Sequence, residues 1–169
     1  MGRAAVKIVP MGPADIPAAV ALELGSLSAW SPQHLEDELR QPAGFQLAAR
    51  DAAAGKLLGL VCGRLAADEA EILKLAVVPE LRRQGIGTRL LDAALDLCRE
   101  KGAAACFLEL RASNKAARRL YEKKGFQQVG IRRNYYAGPA EDAVIMRRNL
   151  RNEREQRATE QTNEEHQGS

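Results

Sequence analysis

The sequence predicts an α/β fold in which strands and helices surround one mixed sheet. Two strand-like segments, 45–50 and 56–64, flank a polar turn and indicate an antiparallel hairpin. Farther along, an apolar strand over 71–78, an amphipathic helix and an apolar strand over 106–110 follow one another, which is the order of a parallel crossover. Both kinds of strand pairing are therefore expected, and 169 residues suffice for one domain with its own core.

Local signals give the individual elements in chain order. Ser31-Pro32 and Asn114 mark helix starts because their side chains suit N-caps, and Lys101-Gly102 marks a helix end. Hydrophobic periodicity assigns the segments between these points. The predicted series is strand 6–9, helix 13–24, helix 31–40, strands 45–50, 56–64 and 71–78, helix 86–101, strand 106–110, helix 114–125, and strands 126–129 and 143–150.

Composition separates one domain from a polar tail. Residues 1–150 carry the predicted elements, whereas 151–169 hold too few apolar side chains to build a core, so we expect a disordered tail there. The tail has three basic and five acidic side chains, which leaves the first 150 residues at +5 within a total charge of +3. That excess suits a polyanionic cofactor or an acidic partner surface. Because no basic cluster is interleaved with aromatics, direct nucleic-acid binding is not expected.

The N-terminus and the apolar segments give no sign of membrane targeting. No apolar run approaches the length of a membrane span, and residues 1–7 contain no apolar leader segment. We therefore expect a cytoplasmic protein that does not engage membranes and that exists as a monomer or weak dimer.

The three cysteines predict neither a disulfide framework nor a metal site. Cys62, Cys98 and Cys106 are scattered, and the last two lie among apolar residues, as buried small hydrophobes do. A catalytic cysteine or serine would need a histidine nearby, and the two histidines are His34 and His166, the second in the polar tail. The sequence thus offers no Ser-His-Asp or Cys-His system, and no metal is expected.

The stretch 75–88 holds the most informative motif. An apolar strand leads into a basic turn, and Gly85 and Gly87 then open an amphipathic helix. The first amides of a helix lack intrahelical acceptors and lie at the positive end of the helix dipole, so they suit a phosphate. Glycine lets the main chain approach the anion closely, and Arg82 and Arg83 add positive charge. The expected ligand is a pyrophosphate.

Two common nucleotide-binding motifs do not fit this turn. A Walker A loop needs Lys-Ser or Lys-Thr after its final glycine, and that pair is absent. A Rossmann fingerprint needs a third Gly or Ala where Leu90 stands, together with an acidic ribose ligand about twenty residues farther on. The alternative that stays open is that the two glycines only relieve a tight strand-to-helix turn.

Two residues are candidates for acid–base chemistry. Alternation along the strand places Glu109 on the face shared by Phe107 and Arg111, where a carboxylate is uncommon unless it is paired or catalytic. The alternative is a solvated or salt-bridged glutamate on an open sheet face. Tyr121 is either a core tyrosine or a proton donor, because a phenol of pKa about 10 can give a proton to a basic leaving group.

These motifs together resemble the GNAT N-acetyltransferase superfamily. The form Arg82-x-x-Gly85-x-Gly87 after the strand 75–79 is similar to its acetyl-coenzyme A signature. The resemblance implies a GNAT fold, with a mostly antiparallel central sheet, one splayed parallel pair and helices on both faces. It also implies that acetyl-CoA contacts the strand residues Leu75, Ala76 and Val77, the turn residues Arg83, Gln84, Gly85, Ile86, Gly87 and Thr88, and Asn114.

A denser set of motifs resembles the RimI-type acetyltransferases, which modify the N-terminal alanine of a small-subunit ribosomal protein. The similarity covers about residues 6–150 and is densest after Glu69. By this resemblance Glu109 is the general base and Tyr121 the general acid, and the acceptor is the N-terminal peptide of a ribosomal protein. The motifs are Trp30-Ser31, 70–73, 108–114, 120–122, Gly125-Phe126, 131–136 and 141–146.

Other functions stay open. One is a GNAT enzyme that acts on another protein N-terminus, on a lysine or on a small amine. Another is a catalytically silent module that only binds acetyl-CoA. The polar-aromatic segment 134–136, which falls between the last two predicted strands, is compatible with a lining of the acceptor groove and equally with a surface loop anchored by buried rings.

Overall fold

A computed structural model of the chain describes residues 5–152 and Glu155. The predicted α/β class and the order of elements are confirmed, while most of the predicted tail lies outside the described residues. The elements are β1 (Val6–Pro10), a 3-10 helix (Pro13–Asp15), α1 (Ile16–Leu22), α2 (Pro32–Leu39), β2 (Gly44–Asp51), β3 (Leu57–Ala66), β4 (Glu69–Val77), a 3-10 helix (Pro79–Leu81), α3 (Ile86–Glu100), β5 (Ala105–Arg111), α4 (Lys115–Lys123), β6 (Gln127–Tyr136) and β7 (Glu141–Asn149).

Within the described part of the chain, seven strands form one sheet in the order β1-β2-β3-β4-β5-β7-β6. The pair β4–β5 is parallel, and α3 makes the crossover between these two strands. The other neighbouring strands pair antiparallel. The mostly antiparallel sheet with a parallel pair is therefore confirmed.

Helices cover both faces of this sheet. On one face α3 and α4 build the larger core cluster, to which Leu90 and Val61 belong. On the other face α1 and α2 build a second cluster, which includes Leu35 and Cys62. Val61 and Cys62 are consecutive on β3 and so point to opposite sides. We call these the α3/α4 face and the α1/α2 face. No helix among the described residues is both long enough and apolar enough to span a membrane.

The cysteines are small core residues, as predicted. Cys62, Cys98 and Cys106 are fully buried and form no disulfide. Burial raises the thiol pKa of Cys98 to about 11 and that of the other two to about 12, so all three stay protonated at neutral pH. Across residues 5–152 and 155, no three His, Cys, Asp or Glu side chains come together as a metal site would need.

The strand β6 is longer than predicted. Its pairing with β7 continues through two register shifts to Tyr136, whereas the sequence pattern ended the strand at Val129. Nearly every β6 residue is exposed, so the strand lacks the alternation that would reveal it. The segment 134–136 therefore belongs to a strand and is not a loop between strands.

Candidate active site

The strands β4 and β5 pair only over their first halves and then separate. Their parallel pairing ends at Ile72 and Leu108. Beyond these residues β4 remains paired with β3, and β5 remains paired with β7. A notch therefore opens through the sheet between residues 74–77 of β4 and residues 109–111 of β5, which confirms the splayed parallel pair.

A β-bulge at Leu73 coincides with the start of this separation. On β3, Cys62 pairs with Lys74 whereas the next residue, Gly63, pairs with Ile72, so Leu73 is the surplus residue. A bulge bends its strand and increases the local twist. The bend occurs where β4 leaves β5. The bulge also resets the alternation of side chains, so that residues before and after it change faces.

The glycine turn follows the end of β4. Arg83 and Gly85 have positive φ values of 61° and 86°, and Gly85 is the N-cap of α3. The first backbone hydrogen bond of this helix runs from the Arg89 N–H to the Gly85 carbonyl at 3.1 Å. The N–H groups of residues 86–88 therefore have no carbonyl acceptor in a preceding helical turn, and no side chain in the described part of the chain caps the helix. This arrangement suits a phosphate.

Packing inside the protein does not account for both glycines of the turn. Gly85 has a left-handed backbone, which favours glycine whatever the ligand. Gly87 has no such reason: a Cβ there would lie 3.6 Å from Leu120 Cδ2 and 3.7 Å from Val77 Cγ2, which are ordinary contacts. A merely tight turn therefore leaves Gly87 without a reason, whereas a close approach of the backbone to a ligand would supply one, so the pyrophosphate stays the prediction for this turn.

The Gly87→Ala variant separates these two explanations. Because the methyl group is accommodated and alanine favours helix by up to about 1 kcal/mol, we expect the free energy of unfolding to stay the same or rise slightly. Affinity for acetyl-CoA is expected to fall about tenfold or more, since the methyl group would hold the anion away from the amides. Chemical denaturation and titration calorimetry measure the two quantities.

The matched control is Gly12→Ala. Gly12 has extended backbone and open space at its Cβ, and it lies outside the turn, so neither quantity is expected to change. Unchanged acetyl-CoA affinity in Gly87→Ala would contradict the assignment of this turn to the pyrophosphate.

Glu109 lies where the notch opens, on the α1/α2 face. Its neighbours Leu108 and Leu110 pack into the α3/α4 cluster, so alternation directs Glu109 to the other side. Its side chain is 19% exposed, and its Oε1 lies 2.9 Å from Nε of Arg132. The glutamate is therefore salt-bridged and solvent-accessible, at the edge of an opening that can admit an amine.

Aromatic rings at the end of β6 contact the arginines near Glu109. The Arg132 guanidinium lies 5.4 Å from the centroid of the Tyr135 ring, and that of Arg111 lies 4.3 Å from the centroid of Tyr136. Contacts of this kind stabilise a cation over an aromatic face. The two tyrosines therefore support the charged groups beside the notch, a role that the sequence did not predict.

The α1–α2 loop, residues 23–31, is held against both diverging strands. On β4, Lys74 Nζ lies 2.6 Å from Glu23 Oε1, and both side chains are buried, with 9% and 4% exposed. Lys74 also donates to the Ser28 carbonyl. On β5, Arg111 Nε donates to Ser28 Oγ at 3.3 Å. The loop therefore borders the notch on the same face as the candidate base.

A second carboxylate, Glu71, lies on this face one strand away. It pairs with Phe107, two residues before Glu109 on β5. Partial burial, followed by the negative charge of Glu109, raises the pKa of Glu71, while Arg64 and Arg132 act in the opposite direction. The charge of Glu109 therefore reaches Glu71, and Glu71 provides a close comparison for Glu109.

Tyr121 lies on the opposite, α3/α4 face. Its side chain is 7% exposed, and its ring contacts the ring of Phe126 edge-on at 5.7 Å. Burial, followed by the nearby Cys106 thiol, raises its pKa, so the phenol stays protonated at neutral pH. A neutral phenol suits a proton donor and the packing suits a core residue, so the role of general acid stays a prediction.

Asn114 is the N-cap of α4, as its position in the sequence predicted. Its Oδ1 accepts a hydrogen bond from the Ala117 N–H at 3.2 Å. Its contact with a cofactor stays a prediction. The structure brings residues 75–77, the turn 83–88 and Glu109 to the same end of the parallel pair, where Asn114 follows β5 after two residues.

Comparisons with known proteins agree with this arrangement. A family model described as the acetyltransferase (GNAT) family matches residues 19–126, a range that contains the glycine turn, Glu109 and Tyr121. The ribosomal protein bS18-alanine N-acetyltransferase of Escherichia coli (strain K12) is 38% identical over 136 residues, which cover 78% of this chain and 89% of that protein. The N-alpha-acetyltransferase RimI of Mycobacterium tuberculosis is 38% identical over 123 residues, 70% of this chain and 75% of that protein.

A solved structure shows the same architecture. The crystal structure of the ribosomal-protein-S18-alanine N-acetyltransferase from Escherichia coli matches with a TM-score of 0.78 and 33% sequence identity. The match covers 86% of this chain and 94% of that one.

Proposed function

Because the chain belongs to the GNAT acetyltransferase family, we propose that it acetylates the α-amine of the N-terminal alanine of a small-subunit ribosomal protein. Acetyltransferases of this family use acetyl-CoA as the donor. The observation that carries the proposal is the position of Glu109 at the opening of the notch, on the face bordered by the loop 23–31. Relatives named for this activity, 38% identical over most of the chain, support the choice of acceptor.

The residues of the turn and the notch suit an acyl-CoA. The turn 83–88 offers N–H groups and an arginine to the pyrophosphate. Among the described strands, none pairs with the edge of residues 75–77 that faces β5, so the backbone groups of this edge can pair with the pantetheine arm. Acetyl-CoA supplies the acetyl group as an activated thioester. An N–H near Val77 then polarises the thioester carbonyl.

Glu109 takes the proton from the acceptor amine, directly or through a water. A carboxylate suffices for this step because an α-amine has a pKa of about 7.7–8.0, against about 10.4 for a lysine side chain. The amine attacks directly, since the three cysteines are buried and protonated and so cannot form an acyl-enzyme. Tyr121 donates a proton to the departing thiolate.

Replacement of Tyr121 by Phe tests the proton transfer from Tyr121 to the departing thiolate. The substitution removes only the hydroxyl, so the ring packing against Phe126 is retained. We expect kcat to fall about 10–100-fold and the Kd of acetyl-CoA to stay within about twofold. Steady-state kinetics and calorimetry measure the two. An unchanged kcat, or a large loss of acetyl-CoA binding, would assign the tyrosine to packing instead.

A peptide panel tests the proposed acceptor. The purified chain is incubated with acetyl-CoA and peptides that begin with Ala, Ser or Met, and with an N-terminally blocked peptide that carries an internal Lys. Transfer is expected to the Ala peptide first and not to the blocked one. Transfer to the internal Lys alone would replace the proposal by a lysine acetyltransferase. Tight acetyl-CoA binding without any transfer would favour a silent binding module. A ribosomal acceptor implies that the reaction takes place in the cytoplasm.

A further inference from the structure

Three basic side chains of the helix α4 have no partner among the residues that the structure describes. Lys115, Arg119 and Lys123 recur at every fourth residue and so lie along one side of the helix. Among the described residues, none of their side chains makes a hydrogen bond or an ion pair. The neighbouring Arg118 and Lys124 are each paired with a carboxylate. We call these three residues the α4 basic line.

Repulsion between neighbouring members of the α4 basic line works against the helix. Like charges four residues apart destabilise a helix by about 0.2–0.5 kcal/mol per pair. The line contains two such pairs, 115 with 119 and 119 with 123. An anionic ligand would turn this repulsion into attraction, so the arrangement points to a binding role.

The line lies beside the glycine turn. Leu120 is the nearest neighbour of the position that a Cβ on Gly87 would occupy, at 3.6 Å. The C-cap residue of α4 is salt-bridged to the second turn of α3 at 2.9 Å. Thus α4 runs along the first two turns of α3. With 3.6 residues per turn, Lys123 and Arg119 lie about 60° and 100° around the helix from Leu120, on its solvent side.

We propose that the α4 basic line binds the 3′-phosphate of coenzyme A. This inference rests on the proposed function, because it takes acetyl-CoA as the ligand of the turn. Coenzyme A carries a phosphate monoester one ribose away from its pyrophosphate, with a charge of about −1.5 to −2 at neutral pH. Arg and Lys side chains bind such a group through charge-assisted hydrogen bonds. The line supplies these cations next to the site for the pyrophosphate.

A single-stranded nucleic acid is the other polyanion that a basic helix can attract. Such surfaces usually combine cations with aromatic side chains on which bases stack. The only aromatic residue of α4 is Tyr121, which is buried. The observations therefore favour a small phosphate ligand, and RNA binding is one of the outcomes of the test.

The test compares coenzyme A with 3′-dephospho-coenzyme A by titration calorimetry. The unmodified chain is expected to bind coenzyme A about tenfold more tightly than the dephospho form. In the double variant Arg119→Gln/Lys123→Gln this preference should fall to within about twofold, with the Kd of the dephospho form unchanged. The preference of the unmodified chain should also shrink as salt is raised, because exposed charges are screened. Arg118→Gln is the matched control, since Arg118 pairs with Glu122 and is not part of the line.

Each outcome decides between explanations. A double variant that keeps the tenfold preference, or that loses affinity for both ligands equally, overturns the inference. Weakened binding of a single-stranded RNA with an unchanged preference would assign the line to RNA and likewise overturn it. If the preference depends on the line but no peptide is acetylated, the proposed function fails and this inference stands. If neither form of coenzyme A binds, the ligand of the turn is wrong and both fail.

Discussion

Glu109→Gln is expected to lower kcat about 10²–10³-fold at pH 7, with little change in the Kd of acetyl-CoA. The amide keeps the size of the side chain but cannot take a proton from the amine, and general-base catalysis contributes about this much. The lost ion pair with Arg132 involves a half-exposed partner, so the free energy of unfolding should fall by no more than about 1 kcal/mol. Steady-state kinetics and denaturation measure these effects.

The pH dependence of this variant gives a sharper test. An α-amine of pKa about 7.7–8.0 becomes neutral without help as the pH rises, so the defect of Glu109→Gln should shrink between pH 6.5 and 9. Glu71→Gln is the matched control, because it removes a carboxylate from the same face one strand away. We expect its kcat to stay within about threefold of the unmodified chain.

Together, Glu109→Gln and Glu71→Gln test whether Glu109 is the general base. A severe loss in Glu71→Gln together with a mild one in Glu109→Gln would move the base to β4. In Glu109→Gln the pKa of Glu71 should also move down toward its ordinary value, because one of the causes that raise it has been removed. Carboxyl NMR titration measures that shift.

Lys74→Met is expected to lower the free energy of unfolding by about 3 kcal/mol and to raise the KM of the acceptor peptide more than that of acetyl-CoA. Removing one partner of a buried ion pair leaves the other charge uncompensated, which costs about 3–5 kcal/mol. Here the orphaned group is Glu23, and the loop it belongs to also loses the hydrogen bond to Ser28. Because that loop borders the notch beside Glu109, the KM of the acceptor peptide should rise more than the KM of acetyl-CoA.

Two further variants distinguish an effect on the loop 23–31 from a general loss of stability. Arg64→Met breaks the pair between Arg64 and the buried Glu38, which ties α2 to β3, so it should destabilise without a selective rise in acceptor KM. The double variant Glu23→Leu/Lys74→Met removes both charges and should be more stable than Lys74→Met alone. Equal rises in KM for both substrates in Lys74→Met would contradict the assignment of the loop to the acceptor side.

Local patterns predicted much of the fold and the strand-to-helix turn at Gly85 and Gly87. The hairpin, the glycine turn and each strand and helix of the crossover are encoded by local sequence, through alternation, helical periodicity or a turn that favours glycine. The sequence left the reason for Gly87 open. The positions of its neighbours show only that a methyl group would fit inside the protein, so the contact of Gly87 with a pyrophosphate stays a prediction.

The remaining features depend on contacts between distant segments. Nothing in an apolar run distinguishes Leu73 as a surplus residue, yet the bulge places Lys74 on the face of Glu71 although the two are three residues apart. The one signal of this site in the sequence was a lysine inside that apolar strand. Its partner, Glu23, lies at the end of a helix much earlier in the chain. Such pairs become visible only when the elements are assembled.

Beyond the bulge at Leu73, the edge of β4 that faces β5 is left unpaired by β5, and this edge can couple the binding of a cosubstrate to stability. Under the proposed function, an extended pantetheine arm paired with residues 75–77 would act as a short added strand, so that binding would also complete the sheet. Under this linkage a ligand present at 100 times its Kd adds about 2.7 kcal/mol to the free energy of unfolding. Local protection should increase most at the end of β4. Amide hydrogen exchange is therefore expected to slow more there than elsewhere when the ligand is added.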